Sequence, residues 1–222
     1  MGATGIRPDL HVEGEDDVHS LVQLLVRHGV SFDPEQLRNA TKKPPVLVPA
    51  KGGVKSLING IVIAIQGAAN ETVGFVLDAD APILNRWEQI RHRLIEAGVE
   101  APVGGPPAEG FIGVSTKFKT RVGVWLMPDN EHDGKLEDLL TTLIDEGDPL
   151  IKHAQDSTDQ AKTLGAAFSK PDVIKAVIHC WLAWQKEPGR PYGVAIKSRY
   201  FQENSPTAKR FVAWFKELYG LD

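Results

Sequence analysis

The sequence has only one cysteine, Cys180, among its 222 residues. A disulfide within the chain is therefore excluded, which fits a reducing compartment, and we expect a cytoplasmic protein. Long apolar runs are also missing, since the longest one, residues 60–69, is well short of the roughly 20 residues that a membrane-spanning helix needs. Residues 1–9 lack the basic and apolar regions of a signal peptide, so we expect no membrane partner.

An excess of positive charge is absent as well, because 25 Lys and Arg residues face 29 Asp and Glu residues, for a net charge of −4. The chain therefore has no overall basic field, and any nucleic-acid binding must use local patches. The composition, with 42% hydrophobic and 24% charged residues, is that of a globular protein. The length suits one α/β domain with an appendage, or two small domains.

The first part of the chain alternates short strand-like runs with helical runs. Four strands are predicted, at residues 9–13, 46–49, 73–77 and 121–127. Helical periodicity lies between them, at residues 16–28, 54–68 and 83–97. Residues 111–114 are either a further strand or an edge. This order predicts an α/β fold, in which a mostly parallel four-stranded sheet is flanked by helices.

The remaining residues have a different pattern. Helices are predicted at residues 135–144, 149–168, 171–186 and 208–219, with one short strand-like run at 194–196. We therefore predict an α/β domain over residues 1–145 and a helical extension over residues 146–222 that packs on it.

Acidic side chains follow three of the four predicted strands. Glu13 ends the first strand, Asp78 and Asp80 follow the third, and Asp129 follows the last. Ligands of open parallel sheets bind at the carboxyl ends of the strands. Gathered carboxylates repel one another, and a divalent cation such as Mg²⁺ removes the repulsion while keeping positions open for phosphate oxygens. The pattern therefore predicts a Mg²⁺ site for a phosphate-bearing ligand.

Each of these acids also has a purely structural explanation. Asp80 precedes Pro82 and a predicted helix, as a helix N-cap does, and Glu15 or Asp16 suits the first turn of the next helix. For any one acid alone the structural explanation is favoured. The three acids Glu13, Asp78 and Asp80 together favour the metal site.

Two segments resemble the motifs of the Toprim family. The segment HVEGEDD at 11–17 resembles the first motif, a strand that ends in Glu-Gly, and FVLDAD at 75–80 resembles the second, a strand that ends in Asp-x-Asp. Overcoming-lysogenization-defect (OLD) nucleases and their small stand-alone relatives are the nearest likeness. That likeness includes the segments KGG at 51–53, VGVWLMPDN at 122–130 and GKLEDLL at 134–140.

The resemblance implies a Toprim-like (Rossmann-like) fold and a site for one or two Mg²⁺ or Mn²⁺ ions. It implies six acidic metal ligands, namely Glu13, Asp17, Asp78, Asp80, Glu137 and Asp138. Glu13 would serve either as a ligand or as the general acid/base, and Glu137 and Asp138 would hold a second metal. Two metals about 4 Å apart would clamp the attacking and leaving oxygens of a phosphodiester. Lys197 would stabilise the developing charge.

Substrate contacts are predicted at two basic segments. Lys51, Gly52 and Gly53 follow the second strand, and the alternation of basic and aromatic residues at 117–121 suits a phosphate backbone. In that segment the predicted contacts are Lys117, Lys119 and Arg121. A solvated hairpin edge explains the same pattern equally well.

The function expected from these features is Mg²⁺-dependent phosphodiester hydrolysis, a nuclease activity on DNA or RNA. The alternative is a catalytically weak Toprim module that binds nucleic acid or a protein partner in a larger complex, for example in phage defence. A homodimer is left open. The chain has no G-x-x-x-x-G-K-[ST] motif, and its three tyrosines are late in the sequence, so neither ATP-driven action nor topoisomerase strand passage is expected of it.

Overall fold

A five-stranded sheet forms the centre of the fold. The structure, a computed structural model, describes residues 8–38, 40–80 and 82–222. The strands are β1 (Asp9–Val12), β2 (Val46–Pro49), β3 (Thr72–Asp78), β4 (Phe111–Val114) and β5 (Arg121–Met127). Their order is β2-β1-β3-β5-β4, and β4 alone is antiparallel to its neighbour. The α/β class and the mostly parallel sheet are as predicted, but the strand count is five rather than four, because residues 111–114 pair as an edge strand.

Helices cover both faces of the sheet. They are α1 (Glu15–Arg27), α2 (Gly53–Gly67) and α3 (Ile83–Glu96) in the first part of the chain. The core under α2 and α3 includes Val73, Phe75 and Leu77 of β3, whereas Val76 belongs to the core under α1. Successive strand residues point to opposite faces, so β3 must be apolar on both. This is why its sequence is a continuous apolar run.

The C-terminal helices lie on the same face as α1. They are α4 (Leu136–Thr141), α5 (Pro149–Thr163), α6 (Val173–Ala183), α7 (Tyr192–Lys197) and α8 (Pro206–Tyr219), with a 3₁₀ turn at Lys170–Asp172. Trp125 of β5 contacts Phe211 and Trp214 of α8, with ring centroids 5.4 and 5.7 Å apart. The two predicted parts thus share one apolar core, while the division at residue 145 stays a prediction.

The prediction of a strand at residues 194–196 is wrong, because this segment lies in helix α7. Ala195 and Ile196 are both buried, which an alternating strand on one core does not give. Gly193 brings α7 against α1, since a Cβ at this position would lie 2.7 Å from the carbonyl oxygen of His19. None of the helices in the described ranges is long and apolar enough to cross a membrane.

Candidate metal centre

The two acidic motifs meet at the carboxyl edge of the sheet, where the parallel strands end. Glu13 directly follows β1, and Asp78 is the last residue of the neighbouring strand β3. The backbone N–H of Asp78 donates to Oε1 of Glu13 over 2.9 Å. The predicted convergence of these two carboxylates therefore follows from the parallel pairing of β1 and β3.

Two further carboxylates reach this edge from helices. Asp17 lies in the first turn of α1, where its Oδ2 accepts the backbone N–H of Gly14 over 2.9 Å. Glu137 lies in the first turn of α4, and the N–H of Leu136, next to it, donates to Oδ1 of Asp78 over 3.0 Å. Helices α1 and α4 thus attach their first turns directly to the acidic group.

Burial and mutual repulsion act on these carboxylates together. Burial, followed by the charges of Glu13, Asp17 and Glu137, raises the pKa of Asp78 to about 9. Burial and the charge of Glu13 raise the pKa of Asp17 to about 7. Burial also raises the pKa of Glu13, against the opposing effect of the Asp78 amide. Around neutral pH the group cannot be fully ionised at low cost unless a cation joins it.

The remaining predicted ligands, Asp80 and Asp138, have other partners. Asp80 forms an ion pair with Arg86, and the Nζ of Lys135 lies 3.9 Å from its Oδ1. Asp138 caps α4, because its Oδ2 accepts the backbone N–H of Lys135 over 2.8 Å. Asp80 therefore lies at the margin of the acidic group, neutralised by two cations.

Three residues that the sequence motifs did not mark surround Glu137. The hydroxyl of Tyr192 donates to its Oε1 over 3.3 Å, and the Nζ of Lys175 lies 3.9 Å from the same oxygen. The Tyr192 oxygen also lies 3.2 Å from Nε2 of His179. These residues belong to α6 and α7, far along the chain from the acidic motifs, so only the folded structure brings them to Glu137.

The acidic group opens into a cleft of about 330 Å³, called the acidic cleft here. Its lining includes Glu13, Asp16, Asp17, Asp78, Glu137 and Lys175. A neighbouring groove between α1 and α7 shares Asp16 with this cleft and includes His19 and Lys197. Lys175 therefore lines the acidic cleft. The predicted catalytic lysine, Lys197, lines the adjacent groove instead.

The predicted substrate contacts lie in two separate places. Lys51, Gly52 and Gly53 are exposed at the start of α2, near the carboxyl edge of the sheet. Lys117, Lys119 and Arg121 lie at or before the start of β5, and β5 runs parallel to β3. They therefore lie at the opposite end of the strands, which for a strand of this length is about 20 Å from the acidic cleft.

At that opposite end the basic side chains contact the protein itself. The Nζ of Lys117 donates to the carbonyl of Glu96 over 2.6 Å, and Arg121 donates to the carbonyls of Leu218 and Glu217. Their position does not support a role as substrate contacts of the acidic cleft, because they lie at the start of β5 and the cleft lies at the carboxyl ends of the strands.

The donor set of the acidic cleft suits a hard divalent cation. In residues 8–38, 40–80 and 82–222, no group of three or more His, Cys, Asp or Glu side chains stands in metal-ligating geometry. However, backbone amides orient Glu13 and Asp78 through one oxygen each, and in the described chain Oε2 of Glu13 and Oδ2 of Asp78 have no hydrogen-bond partner. Carboxylate oxygens held in this way are the ligands that Mg²⁺ prefers.

A comparison with protein families gives one match. The model of the family described as "Protein of unknown function (DUF3226)" matches residues 8–220. The chain belongs to this family. The matched region includes the acidic cleft and all the C-terminal helices of this DUF3226 protein. No curated protein and no solved structure matches the chain, so the resemblance to Toprim and OLD-type proteins stays a prediction.

Proposed function

We propose that this DUF3226 protein is a Mg²⁺-dependent nuclease, which hydrolyses phosphodiesters of DNA or RNA at a Toprim-type site in the acidic cleft. Mn²⁺ is the expected substitute for Mg²⁺. The observation that carries the proposal is the convergence of Glu13, Asp17, Asp78 and Glu137 at the carboxyl ends of β1 and β3 and at the first turns of α1 and α4. Burial and neighbouring carboxylates raise the pKa values of Asp17 and Asp78 in this group, and a bound cation would relieve the repulsion.

Glu13 and Asp78 are the proposed principal ligands, and Asp17 and Glu137 the additional ones. The bound cation would polarise a phosphoryl oxygen and lower the pKa of a coordinated water. The chain's own residues fix the ligands, since three backbone amides, those of Gly14, Asp78 and Leu136, hold Asp17, Glu13 and Asp78 in place. Such orienting contacts sustain metal affinity.

Lys175 is the proposed contact for the negative charge of the substrate. Its side chain is about half exposed and lies beside the buried Glu137 in the acidic cleft. A lysine in this position can approach a phosphate oxygen without leaving the cleft, and it acts as a point charge. This replaces the role predicted for Lys197, which lies in the neighbouring groove.

A cleavage assay tests the proposal. Purified protein is incubated with supercoiled plasmid, single-stranded DNA and RNA, each in Mg²⁺, Mn²⁺ or EDTA. Asp78→Asn is the test variant, and Asp156→Asn, an exposed acid paired with Lys152 on α5, is the matched control. Metal-dependent cleavage that only Asp78→Asn abolishes supports the proposal. Absence of cleavage with every substrate and metal would contradict the proposal that the protein alone is a nuclease.

The second candidate is a catalytically weak module that binds nucleic acid or a protein partner in the reducing cytoplasm. It is favoured by the pairing of Asp80 with Arg86 and Lys135, which withholds one acid of the Asp-x-Asp motif from the acidic cleft. Cleavage that appears only after a partner is added would distinguish this function from the first.

A further inference from the structure

A second polar groove lies on the opposite face of the sheet from the C-terminal helices. Helices α2 and α3 pack side by side there, and the groove between them has a volume of about 580 Å³. Its polar lining consists of Lys55 and Asn59 from α2 and Arg86, Gln89, His92 and Arg93 from α3. We call it the α2–α3 groove.

The spacing of residues along the helices makes this groove basic. On α3, positions 86, 89 and 93 lie on one stripe, while Trp87, Ile90 and Leu94 point into the core. Lys55 and Asn59 are one turn apart on α2 and exposed. The groove therefore gathers three permanent cations, Lys55, Arg86 and Arg93, in a chain whose net charge is −4.

Carboxylates surround the groove without lining it. Arg86 pairs with Asp80, Arg93 with Glu96 over 3.1 Å, and His92 with Glu88 over 3.9 Å. Within the described residues Lys55 has no ion-pair partner, and Gln89 has no hydrogen-bond partner. The positive charge of the groove is therefore only partly compensated.

One residue of the α2–α3 groove contacts the backbone of the proposed metal centre. Helices α2 and α3 follow β2 and β3, so both begin at the carboxyl edge of the sheet, where Glu13 and Asp78 lie. Arg86 is this residue: it lines the groove, and its Nε donates to the main-chain carbonyl of Asp78 over 3.1 Å, although Arg86 does not itself line the acidic cleft. Arg93 lies seven residues further along α3, about 10 Å from Arg86 along the helix axis.

We propose that the α2–α3 groove binds the phosphodiester backbone of the nucleic-acid strand that enters the metal centre. The proposal rests on the proposed function and adds the path of the substrate to it. Phosphates would alternate between Lys55 on one wall and Arg93 on the other, with Arg86 at the junction. Among the described lining residues there is no Phe, Tyr or Trp, and the one ring is the imidazole of His92. Contacts to the phosphates would therefore dominate, and binding would be independent of sequence and of the sugar.

Fluorescence anisotropy tests this path in an Asp78→Asn background with EDTA present, so that neither cleavage nor a metal contributes. The probes are a labelled single-stranded DNA and an RNA of the same sequence. The test variant is Lys55→Glu/Arg93→Glu. The control is Lys186→Glu/Lys209→Glu, which changes the net charge equally at exposed positions in the C-terminal part of the chain.

The groove variant is expected to bind both probes at least tenfold more weakly, and the control less than threefold. The salt dependence should also decrease, by about 0.7 in the slope of log K against log salt for each lost phosphate contact. Lys55→Ala/Arg93→Ala provides the same test if the glutamate variant does not fold. Equal weakening in test and control variants, or no binding by the parent, would overturn the inference.

The inference and the proposed function fail separately. Groove-dependent binding without cleavage by the unmodified protein would remove the nuclease and keep the groove. Cleavage by the unmodified protein that Lys55→Glu/Arg93→Glu leaves unchanged would keep the nuclease and remove the groove.

Discussion

The backbone N–H of Asp78 donates to Oε1 of Glu13 over 2.9 Å, although the two residues are 65 positions apart. This bond joins the ends of β1 and β3 and fixes the Glu13 carboxylate next to that of Asp78. The amide lowers the pKa of Glu13, but burial outweighs it and the pKa is raised. The contact that positions the two acids therefore does not remove their repulsion.

The first prediction concerns pH and stability without metal. The pKa of Asp78 rises from 3.8 to about 9 on folding, and that of Asp17 from 3.8 to about 7. Between the pKa of each group in the unfolded chain and its pKa in the folded protein, the folded protein holds a proton that the unfolded chain has released. The free energy of unfolding therefore falls as pH rises. Asp78→Asn removes the larger contribution and should stabilise the metal-free protein at pH 8 by about 1–3 kcal/mol.

Thermal unfolding in EDTA at pH 5 to 8 measures this effect. The gain of Asp78→Asn corresponds to about 3–10 °C in Tm and should grow with pH. In addition, Mg²⁺ should raise the Tm of the unmodified protein at pH 8 and leave Asp78→Asn unchanged, because a cation that binds only the folded state stabilises it. A variant less stable than its parent at pH 8 would contradict the proposed electrostatic strain.

The second prediction concerns the hydroxyl of Tyr192. Glu137 is 7% exposed and accepts the hydrogen bond of this hydroxyl. Tyr192→Phe removes the donor, so we expect a loss of about 1–2 kcal/mol in stability and an increase of about tenfold in the Mg²⁺ concentration for half-maximal cleavage. Tyr200→Phe is the control, since among the described residues the hydroxyl of Tyr200 bonds only to the N–H of Glu187, outside the acidic cleft. A stability loss with unchanged Mg²⁺ dependence would reduce Tyr192 to a packing role.

The third prediction compares two lysines. Lys175→Met should lower kcat/KM for cleavage by about 10–100-fold, since it removes the positive charge that lines the acidic cleft. Lys197→Met should lower it less than threefold, because Lys197 lies in the neighbouring groove. Steady-state cleavage kinetics of the two variants decide the point. The reverse order of effects would restore the role that the sequence resemblance implied for Lys197.

Periodicity and strand direction were sufficient to predict from the sequence that Glu13 and Asp78 lie close together. The apolar runs that became β1 and β3 end at Glu13 and Asp78, and parallel strands bring their carboxyl ends together. By the same rule residues 117–121, which precede β5, lie at the opposite end of the strands from the acidic cleft. The sequence motif grouped Asp80 with the proposed ligands, but in the structure Asp80 pairs with Arg86 and lies near Lys135 instead.

Contacts between distant helices could not be predicted in the same way. Glu137 and Tyr192 are 55 positions apart, and their contact depends on how α4, α6 and α7 pack on the sheet and on α1. No local pattern encodes that packing. For residues 194–196, three positions are too few to separate a strand from a helix. In the structure they lie in α7, where Gly193 packs closely against His19 of α1.

The fourth prediction tests that packing through two glycines. Gly123 of β5 lies under α8, and a Cβ there would lie 2.3 Å from Cδ2 of Leu218. Gly123→Ala should therefore displace α8 and cost about 1–3 kcal/mol, as overpacked cores do. Gly60→Ala, within α2 where a Cβ meets nothing within 4 Å, should instead stabilise by about 0.5–1 kcal/mol, because alanine loses less backbone entropy in a helix. Urea unfolding measures both, and a Gly123→Ala protein as stable as its parent would show that α8 does not pack on β5 at this distance.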